Sequence, residues 1–135
     1  MKKTIETTHF LRAPASKVWE NISKATGVDN WLPVIKACRL EGNKRVCTTE
    51  QGDMNETILK IDNEQKLFQY SIDKQPLLPI ENIIGTMKVS DKEGETELIW
   101  TVDFTLHDET LLPFITQAIQ GMYNAGANGL ERISN

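Results

Sequence analysis

The sequence predicts one α+β domain, in which a curved seven-stranded antiparallel sheet wraps around a long C-terminal helix. Three observations carry the prediction. Strand-like segments fill most of residues 34–105, separated by turn signals such as Gly42-Asn43, Gly52-Asp53 and the stretch from Asp91 to Gly94. One strand and two short helical stretches precede them. From Asp108 onward a helix with a broad apolar face closes the chain. A sheet and a helix that are each apolar on one side bury those sides against each other. At 135 residues the chain suits a single domain, 1–135, with a real core, and no repeat, low-complexity tract or linker divides it.

Residues 3–12 form the first strand, with Ile5, Thr7, His9 and Leu11 on one side. Pro14 lies at or just before the start of a helix opened by Ala15-Ser16, and Val18, Trp19 and Ile22 make its apolar stripe. Gly27 stops this helix, Asp29-Asn30-Trp31 adds a short helical turn, and Leu32-Pro33 releases the chain into the sheet. Trp19 and Trp31 read as packing residues.

Residues 34–72 are four consecutive strands whose turns fix which side chains share a face. A tight turn at Gly42-Asn43 sets Leu40 opposite Arg45, Cys38 opposite Cys47 and Lys36 opposite Thr49. A turn at Gly52-Asp53 sets Thr49 opposite Glu56 and Cys47 opposite Ile58. A three-residue turn at Asn63-Glu64-Gln65 sets Ile58 opposite Tyr70 and Glu56 opposite Ile72. One face then carries Lys36, Cys38, Leu40, Arg45, Cys47, Thr49, Glu56, Ile58, Lys60, Phe68, Tyr70 and Ile72. Aromatic residues and cysteines favour burial, whereas unpaired charges do not tolerate a dry core. A face that is both suits the wall of a wet pocket; a solvated outer face is the alternative. Strands stand roughly 4.8 Å apart, so Lys36 can reach toward Glu56 across Thr49. Arg45 falls several residues along from Glu56 and is not its direct partner in this register.

The loop over residues 73–79 holds two prolines and two leucines, and such leucines fold back over something apolar. Strands over residues 80–90 and 95–105 follow, the second with Leu98, Trp100, Val102 and Phe104 alternating with polar neighbours. Asp108 caps the last helix and Pro113 falls in its first turn. Its apolar face includes Phe114, Ile115, Ala118, Ile119, Met122, Tyr123 and Leu130. Gly121, Gly126 and Gly129 each cost about 1 kcal/mol in a helix interior. That implies close approach to the sheet, or room for a ligand beside Met122.

A net charge of −4 with scattered basic residues argues against a nucleic-acid partner. No apolar run approaches the roughly 20 residues of a membrane span, so no integral membrane contact is expected. Met1-Lys2-Lys3 is not followed by an apolar signal region, which points to the cytoplasm. There the two cysteines are expected as reduced, half-buried thiols, although their opposition brings them close enough to bridge. No ligand-spacing pattern joins them to His9 or His107, so no metal is expected. Phosphate-loop and dinucleotide glycine motifs are absent and no cofactor is expected. His9 reads as a satisfied core or rim histidine. Ser71 lacks a base and an orienting acid.

The ordered series Ala13-Pro14 with Val18-Trp19, Trp31-Leu32-Pro33, Gly42 with Arg45, Glu56 with Asp62, Tyr70-Ser71-Ile72, Leu78-Pro79, Gly85, and Trp100 with Phe104 resembles the START-related SRPBCC superfamily. That superfamily has the Bet v 1-like helix-grip fold, and the nearest likeness is to its polyketide cyclase/dehydrase and lipid-transport group. The resemblance covers nearly the whole chain. It implies the helix-grip fold and supports the aromatic, charged face as the inner one. In related plant hormone receptors and allergens, a lysine on the second strand and a glutamate on the fourth line the cavity; Lys36 and Glu56 match them. The receptors' gate loop is absent, with Gln51-Gly52-Asp53-Met54 in its place, so hormone sensing is not implied.

The expected function is binding or transport of a small, largely apolar or amphipathic molecule with a polar head group. Its candidate ligand-binding residues are Lys36, Cys38, Arg45, Glu56, Ile58, Phe68, Tyr70, Trp100 and Met122. One alternative is a cyclase- or dehydratase-like enzyme in which Glu56 is the general base and Tyr70, Lys36 or Arg45 steadies an enolate. Another is a protein-interaction module with a small cavity. Replacing Glu56 by Gln is expected to weaken ligand binding and leave the ligand-free protein at least as stable.

Overall fold

The computed structural model covers residues 1–135. Strand β1 (Lys2–Leu11) leads into helix α1 (Ala15–Ser23) and a 3-10 turn at Val28–Asn30, where the sequence predicts a short helical turn. Six strands follow: β2 (Ala37–Glu41), β3 (Lys44–Thr49), β4 (Gly52–Asp62), β5 (Leu67–Lys74), β6 (Glu81–Lys92) and β7 (Glu95–Thr105). A 3-10 turn at Glu109–Leu111 then enters helix α2 (Leu112–Ile133). The seven antiparallel strands form one open sheet in the order β1-β7-β6-β5-β4-β3-β2. Strands β1 and β2, consecutive in the chain, therefore lie at opposite edges. The helical segment between them crosses the sheet, and α1 packs on β6, β7 and α2.

Alternation places the core. On β7, Leu98, Trp100, Val102 and Phe104 are buried, while β1 turns Ile5, His9 and Leu11 to the same side. Asp108 accepts a hydrogen bond from the Thr110 backbone N–H at 3.0 Å, and Pro113 sits where a helix loses no donor. Helix α2 then buries Ile115, Ile119, Tyr123, Ala127 and Leu130, spaced three or four residues apart, against the sheet. Each fully buried aliphatic side chain of this set contributes about 1.5–3 kcal/mol. Two of the helix glycines answer to sterics. A Cβ on Gly129 would lie 1.9 Å from the Trp31 carbonyl oxygen, and one on Gly126 would press on Trp100 and Leu32 at 3.0–3.1 Å. Gly121 has nothing within 4 Å.

The meander keeps most residues on their predicted faces, Lys36 and Lys60 excepted, but not every predicted register. The first hairpin is as expected, with Leu40 opposite Arg45 and Cys38 opposite Cys47. The second turns at Glu50-Gln51, because the Thr49 hydroxyl accepts from the Gln51 N–H and donates to the Gly52 carbonyl. Thr49 therefore faces Gly52, and Arg45 rather than Thr49 faces Glu56. The shift is by an even number of residues, so inward residues stay inward. On β4 and β5, Ile58 faces Tyr70 and Glu56 faces Ile72, as read from the sequence. An irregularity between Ile58 and Lys60 then moves Lys60 opposite Gln69 and out to solvent.

Two further expectations fail here. Cys38 and Cys47 are joined by a disulfide instead of remaining reduced. The tight hairpin that opposes them brings their Cα atoms to 4.2 Å. Lys36 does not belong to the inner face: the strand begins one residue later, Ile35 takes the buried position, and Lys36 bends outward to Glu50. Burying Ile35 removes apolar surface from water without stranding an ammonium. No helix is long and apolar enough to cross a membrane.

Candidate functional site

Between α2 and the concave run of β3 to β7 lies a cavity of about 90 Å³, several times the ~10–15 Å³ that one water needs. Met54, Phe68, Tyr70, Met87 and Trp100 line it from the sheet, and Ile119, Met122 and Tyr123 from the helix. Trp31, Leu32, Val34 and Ile35 close one side. Leu77, Leu78 and Ile80 fold over another, as the two loop leucines suggested. Gln75 holds that loop: its Oε1 accepts from the backbone N–H groups of Leu77 (2.7 Å) and Leu78 (2.9 Å), and its Nε2 donates to the Leu78 carbonyl (2.6 Å). Apart from Gln75, only Arg45 and Glu56 bring charge or amide groups to the wall.

The polar centre is one ion pair. Arg45 donates from Nε (2.8 Å) and Nη2 (2.5 Å) to Oε1 of Glu56, and from Nη1 (2.8 Å) to the carbonyl of Ala25. Ala25 adopts a left-handed conformation (φ 64°) between α1 and the 3-10 turn, and its carbonyl accepts this bond. The guanidinium carbon also lies 5.4 Å from the Tyr70 ring centre and 5.6 Å from that of Phe68, within cation–π range. Both Arg45 contacts fall on one carboxylate oxygen, leaving Oε2 of Glu56 without a protein donor. Burial raises the carboxyl pKa of Glu56 above its ordinary value; Arg45 pulls it back, and the charge of Asp73 adds to the rise.

An aromatic cluster adjoins the pair. Tyr123 stacks on Trp100 with ring centres 3.8 Å apart, and Trp31 tilts against Trp100 at 5.9 Å. Trp100 Nε1 donates to the Tyr70 hydroxyl at 3.1 Å. Tyr70 lies over Gly85, where an added Cβ would sit 2.3 Å from its ring. Burial raises both tyrosine pKa values, that of Tyr123 strongly. Trp31 Nε1 is buried with no hydrogen-bond partner. Beside the cavity a groove of about 230 Å³ runs along Pro33, Gly121 and Ala125, and the two share Leu32, Val34 and Met122.

Of the candidate residues, Arg45, Glu56, Phe68, Tyr70, Trp100 and Met122 come together on this wall. Lys36, Cys38 and Ile58 do not. Lys36 is outside, Cys38 lies on the edge strand with its partner Cys47 taking the cavity position, and Ile58 is half-buried beyond the wall. His9 is buried against the Thr7 hydroxyl at 2.8 Å, away from the cavity, and burial lowers its pKa. His107 pairs at the surface with Glu81. Sequence reasoning missed Met54, Met87 and Gln75 as wall residues, and it assigned Trp31 to packing alone.

Residues 2–134 match the family described as polyketide cyclase / dehydrase and lipid transport. No curated protein matches the sequence. Among solved structures, major latex-like protein 151 from Panax ginseng superposes with a TM-score of 0.84 at 16% identity, over 98% of this chain and 97% of that one. The protein XoxI from Bacillus cereus gives 0.81 at 22% identity, covering 97% and 94%. Norcoclaurine synthase from Thalictrum flavum gives 0.74 at 16% identity, covering 98% and 86%. At these identities the likeness is one of fold, and the fold is Bet v 1-like.

Proposed function

Because the chain belongs to the polyketide cyclase / dehydrase and lipid transport family, we propose that it binds a small, largely apolar molecule in the cavity beneath α2. The observation that supports this is the wall itself: an aromatic and aliphatic hollow whose only charges are the paired Arg45 and Glu56. Apolar walls take up the body of a ligand by removing its surface from water, and a few polar groups set its orientation. The volume favours a compact ligand over an extended lipid chain. A second reading, proton abstraction from the bound molecule by Glu56, is favoured by its unpartnered Oε2 and by its raised pKa.

The test is native mass spectrometry of the purified protein, together with titration of a neutral apolar dye. A retained small mass, or saturable dye binding that the retained molecule displaces, is the expected result. A protein that carries nothing and admits no neutral dye does not use this cavity for binding. Release of a product from the molecule taken up, lost in Glu56→Gln, supports the base role of Glu56.

A further inference from the structure

The cavity's charge is already balanced within the protein. Arg45 spends its Nε and Nη2 on Glu56 and its Nη1 on Ala25, with two aromatic rings beside it. Lys36, the second cation that the sequence placed on this face, is outside with Glu50. At the ion pair the wall leaves open an acceptor, Oε2 of Glu56, and apart from it a neutral donor, the Trp31 Nε1. A ligand carboxylate would meet the Glu56 carboxylate in a water-poor site. It could stay only by stripping Glu56 from Arg45 or by driving a proton onto it. A cation would add an unbalanced buried charge. An uncharged hydroxyl or N–H gives Oε2 the bond it lacks and brings no net charge.

Resting on the cavity reading above, we propose that the site selects an uncharged ring-bearing molecule that donates a hydrogen bond, from a phenol, an alcohol or an N–H, to Oε2 of Glu56, and that it rejects carboxylic acids of the same shape. The selection sits in one oxygen atom, while the apolar wall binds the ring without discrimination.

The test uses three probes of one ring system, naphthalene, 2-naphthol and 2-naphthoate, titrated into the full-length protein at neutral pH. 2-Naphthol is expected to bind tighter than 2-naphthoate by roughly tenfold or more, since a hydrogen bond to a charged acceptor is gained in one case and two anions are opposed in the other. Naphthalene is expected to fall between them. In Glu56→Gln the ratio of naphthol to naphthoate affinity collapses toward unity. 2-Naphthoate binding as tightly as 2-naphthol to the wild-type protein overturns the selection and leaves the cavity reading intact. An unchanged ratio in Glu56→Gln removes the selection from Glu56. If none of the three probes binds and a neutral dye also fails, both readings fall together.

Discussion

Two acid–base pairs flank the β3–β4 hairpin, and they differ in almost everything except their chemistry. Lys36 and Glu50 meet at 3.4 Å with side chains 57% and 73% exposed. Arg45 and Glu56 meet at 2.5 Å with 6% and 5% exposed. In water the first pair gains little, about 0–1 kcal/mol, because solvent screens it and two long side chains must be ordered. The second has given up its hydration, and its partners decide what that means. Arg45 has three kinds of partner: Glu56, the Ala25 carbonyl and two aromatic rings. Glu56 has only Arg45. The buried pair is therefore lopsided, and removing its two members should not cost the same.

Removal of the arginine is the largest break. Arg45→Met keeps the apolar stem and leaves Glu56 buried with no partner and Ala25 with no donor. We expect a loss of about 3–5 kcal/mol of stability in urea denaturation near neutral pH. The loss should shrink at acid pH, where Glu56 takes a proton and ceases to be a buried ion. A loss below about 1 kcal/mol, similar to that of a surface pair, would mean that the ion pair does not hold this end of the sheet.

The buried pair also shows what the sequence could and could not disclose. Period-two alternation placed Arg45, Cys47, Glu56, Phe68 and Tyr70 on one face, and all are buried there. That reading survives an even register shift, so the error at the second turn left the face intact. The partner of Glu56 does not survive it. Gly52-Asp53 looks like a turn centre, but the Thr49 hydroxyl closes the turn two residues earlier, and a side-chain bond of that kind has no periodic signature. Lys36 failed for a related reason. Alternation and family likeness both assume a strand that already runs at residue 36, whereas the chain bends there to bury Ile35. Gly126 and Gly129 were legible as close approaches but not their targets, Trp100 and the Trp31 backbone. The disulfide was legible as an opposition, and the expected compartment argued it away.

A milder perturbation sharpens the same asymmetry through pH. The folded-state pKa of Glu56 lies above its ordinary 4.5, so the native state holds this proton more tightly than the unfolded chain. Its contribution favours folding below about pH 4.5 and is lost as pH rises through the folded value. Glu56→Gln removes the titration and keeps an acceptor for Arg45. The variant should therefore be at least as stable as the wild type at neutral pH, with its relative advantage disappearing toward pH 4. Paired denaturation curves across that range check the sign. A variant that is instead less stable at neutral pH, and recovers on acidification, would show that Arg45 outweighs burial in setting the charge of Glu56.

The smallest expected effect is the one that the family likeness would make large. Lys36→Met removes the exposed pair's cation and should change stability by less than about 0.5 kcal/mol, with any difference fading as salt is raised. It should leave the affinity for 2-naphthol unchanged, because the ammonium is turned away from the cavity toward Glu50. Affinity and stability have to be read together here. A stability change alone would only report the strand edge, whereas a several-fold loss of affinity at unchanged stability would mean that the bound protein draws Lys36 inward. In that case the exposed pair would be the resting position of a ligand contact, and the two ion pairs of this hairpin would serve one site instead of two separate ends.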